Sequence, residues 1–266
     1  QTAAGADVVL AQGTAELGGD LDISSTGDIV LGDGSGGAIV NPNGGVINFG
    51  SSAGGSLELN ASGGIDVQIT GSEGMAIAAV TDYGDVNVDS SGGGELSVAA
   101  VGGEGGTTGI STGDGDVTVA ADDLDIGEEV SGDRVTLTTS TASQGIDLGA
   151  EGTGGTLNLT EDELANVSAD ELQIGDTGNS GGINVSAAVS LTDAGHDAVH
   201  LQTGGGEISG DEDGRVQVDG LAITTGGTVD LYGDNLVGTL AVNHTGVGGY
   251  VSFNDYTGIE IGSVDG

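Results

Sequence analysis

The chain has 266 residues, of which 57 are Gly, one is Pro, none is Cys or Trp and 2% are aromatic. That composition excludes a globular core of large side chains, a disulfide framework and a thiolate metal site. Two basic residues stand against 42 acidic ones, a formal net charge of -40, which excludes nucleic acid and anionic membrane surfaces as partners.

Hydrophobic residues still make up 36%, carried by Val, Ile, Leu and Ala, so a thin core packs where a disordered acidic chain would lack the material for one. Self-repulsion at this charge opposes a compact state unless salt or divalent cations screen it, which points to a saline or calcium-containing medium outside a cell. No run approaches the roughly 20 apolar residues of a membrane span, so membrane insertion is not expected. The chain begins at Gln1 without a charged-then-apolar leader, as a processed protein or an excised segment would.

Along the chain, a tripeptide of apolar, variable, apolar residues recurs between clusters of Gly, Asp, Asn, Ser and Thr. It starts with Leu21-Asp22-Ile23, Ile29-Val30-Leu31, Ile47-Asn48-Phe49, Leu57-Glu58-Leu59, Ile65-Asp66-Val67 and Val86-Asn87-Val88. It continues through Leu96-Ser97-Val98, Val117-Thr118-Val119, Leu124-Asp125-Ile126, Val135-Thr136-Leu137, Ile146-Asp147-Leu148 and Leu157-Asn158-Leu159. The later part keeps the same character in Ile183-Asn184-Val185, Val199-His200-Leu201, Val216-Gln217-Val218, Val229-Asp230-Leu231, Leu240-Ala241-Val242, Val251-Ser252-Phe253 and Ile259-Glu260-Ile261.

Side chains alternate faces along a strand, so the flanking aliphatics point to a dry face and the polar centre to a wet one. Strands this short, separated by Gly-rich turns, suit repeat coils of about 20 residues, on the order of a dozen of them. Stacked at the strand spacing they predict a rod roughly 60 Å long with aliphatic ladders inside. The expected fold is therefore all-β: a single-stranded parallel β-helix, one continuous β-solenoid over residues 1–266. One segment departs from the pattern. Residues 160–167, TEDELANV, carry Thr and Glu at capping-box spacing with Leu164 and Val167 three apart, which predicts a short helical excursion near 161–167.

Two stretches and the tail resemble a known family. Residues 135–191 contain VTLTTSTASQGIDLG, GTLNLTEDELANVSADELQIGD and SGGINVSAAVSL, and the tail reads GTLAVNHTGVGGYVSFNDYTGIEIGSVDG. Residues 39–53, IVNPNGGVINFGSSA, are similar to the Asn-Pro-Asn-Gly motif of a secretion domain, with Asn41, Pro42, Asn43 and Gly44 on the matching positions and Gly45 and Asn48 as departures. The likeness is to the filamentous-haemagglutinin-like adhesins of two-partner secretion. It implies a right-handed coil, a cell-surface location and an adhesive or filament-forming role.

Outward carboxylates are the candidate ligands of a metal. Asp114, Asp116, Asp122, Asp123 and Asp125 lie in one short stretch and offer hard oxygen ligands to Ca²⁺, against the plainer reading of a solvated acidic face. Asp211, Glu212 and Asp213 read as a turn cap. No other cofactor is expected. His196 and His200 are four apart, but the strand pattern at Val199-His200-Leu201 favours exposed, non-functional histidines over a zinc pair, and His244 reads as a turn residue. Sequons at Asn60, Asn158, Asn166, Asn184 and Asn243 are candidate glycosylation sites.

Neither a nucleophile elbow nor a phosphate loop is present: Gly102-Gly103-Glu104-Gly105-Gly106 lacks a following Lys and reads as a turn or surface loop. A polysaccharide lyase or glycosidase is the enzyme alternative; it needs paired carboxylates embedded among basic and aromatic residues, of which the chain offers only Arg134, Arg215 and the scattered Tyr83, Tyr232, Tyr250 and Tyr256. The preferred reading is a non-enzymatic rod whose ends, Val8, Val9 and Leu10 at one and Ile259, Glu260 and Ile261 at the other, carry no blunting Lys, Pro or helix. Such ends predict continuation, by self-association end to end or as tandem units. A carbohydrate or cell-surface receptor bound by loops and the tyrosine-containing tail is the second reading.

Overall fold

In a computed structural model, the described residues are 8–10, 15–17, 21–25, 29–31, 40–42, 47–51, 55–61, 63–72, 74–101, 106–150, 155–192, 196 and 198–264; side chains are described from residue 56 onward, residue 61 excepted. Short strands pair in parallel with strands one coil further along, and the architecture is an all-β parallel β-helix. No helix among the described residues is long and apolar enough to cross a membrane. The chain divides into two compact units, Gln1–Asp133 and Arg134–Gly266.

In the first unit the apolar residues of the tripeptides stack in register. Leu21, Ile47, Ile65, Val86 and Val117 form one row. Leu57, Ile77, Val98 and Ile126 form a second, and Leu59, Ala79, Ile110 and Val130 a third. The described side chains of all three rows are buried, each stacked against the equivalent residue of a neighbouring coil. The polar centres face out, and Asn87 Nδ2 donates to Asp66 Oδ1 at 2.9 Å, one coil below.

Coil length is not constant. Of three successive steps along the first row, the one from Ile47 to Ile65 is the shortest, the one from Ile65 to Val86 is longer and the one from Val86 to Val117 is the longest. The longest step contains an antiparallel hairpin, Ala100–Val101 against Thr107–Thr108. This hairpin packs on the outer face of strands Gly55–Ala61 and Met75–Thr81. Glu58, expected in water as the centre of Leu57-Glu58-Leu59, is instead 3% exposed beneath it. Its Oε1 accepts from the Thr107 amide at 2.8 Å and the Thr107 hydroxyl at 2.7 Å.

The second unit repeats the scheme. Leu172, Val199, Leu221, Leu240 and Ile261 form one row, and Ile146, Ile183, Ile208, Val229 and Val251 another. The excursion is present as the helix Glu161–Leu164, shorter than the sequence predicts because Val167 already belongs to the strand Val167–Ile174. Its capping box is complete: Thr160 Oγ1 accepts from the Glu163 amide and Glu163 Oε2 from the Thr160 amide. Leu164 is buried and anchors the turn. The strand before the helix, Thr156–Thr160, pairs in parallel with Gly145–Gly149, the strand just before it in the chain. The strand Gly145–Gly149 also pairs, through Ile146 to Leu148, with the strand Ile183–Val185, so it lies between that strand and Thr156–Thr160.

Corners are closed by buried side-chain amides and by glycine. Asn235, 1% exposed, receives the Val216 amide on Oδ1 at 2.9 Å and donates Nδ2 to the carbonyls of Leu231, Gly233 and Asn254, tying three successive coils. At the same corner a Cβ on Gly214 would lie 1.8 Å from the Val185 carbonyl oxygen, and one on Gly233 would lie 1.9 Å from that of Gly214. Backbone approaches backbone so closely there that only glycine fits.

Candidate functional site

The last described rung of the second unit is exposed. Val229, Leu231 and Leu240 are at most 4% exposed, whereas their register partners one coil later are open: Val251 is 45% and Ile261 73% exposed, and Phe253 is half-buried. Nothing among the described residues stacks on these side chains. Tyr250 and Tyr256 lie exposed at the same level. The Tyr250 hydroxyl donates to Asp230 Oδ2 at 3.2 Å, and that hydrogen bond to a carboxylate pushes its pKa up. In the first unit Val8–Leu10 forms a strand paired with Ile29–Leu31, and its side chains lie outside the described residues.

A second feature lies on the outward face of the same unit. Arg134, on the strand Val130–Thr138, donates Nε at 2.9 Å and Nη2 at 2.6 Å to Glu171 Oε2. The other carboxylate oxygen lies 3.6 Å from His200 Nδ1, and His200 Nε2 is 2.9 Å from Thr224 Oγ1. Asn243 stands beside Thr224 in register on the next strand. From Glu171 through His200 to Thr224 the polar side chains step diagonally, one strand at a time, and from Thr224 to Asn243 straight across, along a groove of about 580 Å³ floored by Ala198, Ala222 and Ala241.

Burial lowers the His200 pKa below its ordinary value of 6.5; the nearby Glu171 carboxylate opposes this and Arg134 adds to it. The imidazole is therefore neutral near pH 7, one nitrogen carrying the proton and the other accepting. His196, 6% exposed with Nδ1 3.1 Å from the Ala169 carbonyl, is likewise lowered by burial, against the effect of that hydrogen bond. The expectation of exposed histidines is thus corrected: the coil register brings both against other strands, which local spacing does not reveal.

The five aspartates expected around calcium fall at separate places on one coil. Asp114 and Asp116 flank the corner between Ile110–Thr112 and Val117–Ala121, and the Asp116 amide donates to Asp85 Oδ1 at 3.0 Å. Asp122 and Asp123 sit in the next turn. Asp125 faces out from Leu124–Ile126, where its Oδ2 accepts from Ser97 Oγ at 3.0 Å. Among the described residues no group of three or more His, Cys, Asp or Glu side chains gathers where it would hold a metal ion. Asp211 and Asp213 do mark a turn, closed by the Gly214 amide donating to the Asp211 carbonyl at 3.0 Å.

The sequons also have a structural origin. In Asn158-Leu159-Thr160 and Asn184-Val185-Ser186 the central aliphatic is buried, so Asn and Ser or Thr spell the outward positions on either side of an inward one. Asn184 Oδ1 accepts from Ser209 Oγ at 3.1 Å and Asn158 Nδ2 donates to the Thr156 carbonyl at 3.2 Å, while Asn243 is exposed. Asn60 lies on the strand Gly55–Ala61, and Asn166 follows the helix.

The Arg134, Glu171 and His200 network carries no signal in the sequence, since its members lie on three separate strands and meet only through the coil register. No protein-family model, no curated protein and no solved structure matches the chain.

Proposed function

We propose that the chain is a structural or adhesive module of an extracellular surface filament, a stiff β-solenoid segment that stacks end to end on further coils of its own kind. The observation that carries this reading is the uncovered last rung: Val251, Phe253 and Ile261 continue the buried rows of Val229, Leu231 and Leu240, yet no coil among the described residues covers them. An apolar row in register with exposed strand edge is a template for another coil, from a second copy or from the same polypeptide. The resemblance to filamentous-haemagglutinin-like adhesins supports the same setting. So does a charge of -40, which needs a saline medium and disfavours side-by-side packing.

The module works as scaffold and adhesive surface, not as an enzyme. Among the described residues Glu171 is the one acidic side chain lining the large groove, whereas glycoside hydrolysis uses two facing carboxylates.

Electron microscopy of the purified chain at moderate salt, with and without Ca²⁺, tests the reading. Single-file fibres are expected, and Ile261→Asp should reduce them to separate particles of unchanged circular dichroism. Separate particles of the unaltered chain under every condition would count against end-to-end stacking.

A further inference from the structure

We propose that the outward groove of the second unit is a binding site for an uncharged, hydroxyl-rich chain, an oligosaccharide without acidic groups. The electrostatics set the class. In a molecule of charge -40 an anionic ligand meets repulsion everywhere, and the groove does not reverse it because Arg134 is engaged by Glu171. A cation finds no better welcome, since Glu171, the one lining carboxylate among the described residues, already faces a guanidinium and, from the other side, His200. What the groove presents beyond that pair are neutral groups that both donate and accept: His200, Thr224, Asn243 and Ser263.

Their arrangement suits a chain of rings. Thr224 and Asn243 occupy equivalent positions on adjacent strands, so hydrogen-bonding groups recur at the strand spacing of about 4.8 Å, comparable to the length of a single sugar unit. Beside them, two residues earlier on the same two strands, the methyl groups of Ala222 and Ala241, also paired in register, form a flat apolar floor against which the C–H face of a ring lies. Larger outward residues at these two positions would fill the groove. The ion pair at one end holds Glu171 in place beside His200, and burial keeps that imidazole neutral, so recognition costs no displacement of a charged partner.

Isothermal titration and saturation-transfer NMR on the full chain would use uncharged hexasaccharides of glucan, mannan, xylan, galactan and chitin, beside polyuronate hexasaccharides. At least one uncharged hexasaccharide is expected to bind and the uronates are not. Ala222→Trp should weaken that binding at least tenfold with an unchanged melting temperature, and Thr224→Ala combined with Asn243→Ala should weaken it several-fold, a pair of outward changes that keeps the test intact if the tryptophan variant fails to fold. Absence of binding by every uncharged probe, tighter binding of uronates, or full affinity in both sets of variants would overturn the assignment, as would loss of binding on Tyr250→Ala alone. Fibres without oligosaccharide binding would sink this site and leave end-to-end stacking standing; binding without fibres would do the reverse.

Discussion

The rung that contains Val229, Leu231 and Leu240 and the rung that contains Val251, Phe253 and Ile261 are built from the same kinds of residue in the same register, yet one is sealed and the other open. The difference lies wholly in whether a further coil covers the row. A solenoid coil cannot bury its own apolar residues; it borrows the cover from its neighbour, and stability accrues at the junctions between coils. The strength of an aliphatic tripeptide in this chain is therefore set by its position in the stack and not by its composition.

The largest expected effect comes from a corner inside the covered stack. Gly233→Val would place a side chain where a Cβ already falls 1.9 Å from the Gly214 carbonyl oxygen, and a loss of more than about 4 kcal/mol is expected, enough to unfold the second unit, read by circular dichroism or limited proteolysis. Next, Leu221→Ala removes a fully buried side chain that has a partner on each side, Val199 and Leu240, and should cost about 3 kcal/mol in denaturant unfolding. Asn235→Ala strips a buried corner of its amide and leaves the Val216 N–H without its acceptor; about 2 kcal/mol is expected in the same assay.

A pH-dependent contribution follows from two histidines taken partly or wholly out of water by folding. His196 and His200 both have pKa values below the ordinary 6.5, so between the native and unfolded values the unfolded chain binds more protons. Stability from this source is fully present above about pH 6.5, falls as the pH drops through that value, and levels off below the native pKa values. Denaturant midpoints measured between pH 7.5 and 5.5 should decline, and His200→Gln should flatten the decline. The smallest effect belongs to the open rung: Ile261→Ala, at a side chain 73% exposed, should change monomer stability by less than about 0.5 kcal/mol. A large loss there in the monomer would break the contrast between covered and uncovered rungs.

A second contrast sharpens the same lesson on the outer surface. Leu57-Glu58-Leu59 and Ile65-Asp66-Val67 read identically as strands with a wet centre. Asp66 is exposed and meets Asn87, whereas Glu58 lies under a hairpin that arrives from residues 100–108. The alternation told which way each side chain points, and it did so correctly for both. Whether the outward side is water or another segment depends on an excursion made in a later coil, as the Glu58 to Thr107 contact shows.

The sequence by itself determined the all-β parallel coil, the inward rows of Val, Ile and Leu, and the capping box at Thr160 and Glu163. These follow from period-two alternation and local backbone chemistry, which act over a few residues. Tertiary structure alone decided the irregular coil lengths, the burial of Glu58 and His196, the meeting of Arg134, Glu171 and His200 in one groove, and the separation of Asp114, Asp116, Asp122, Asp123 and Asp125. The physical reason is register: in a solenoid the neighbours of a side chain come from other coils, and the number of residues spent in each turn, which no local pattern encodes, selects which ones meet.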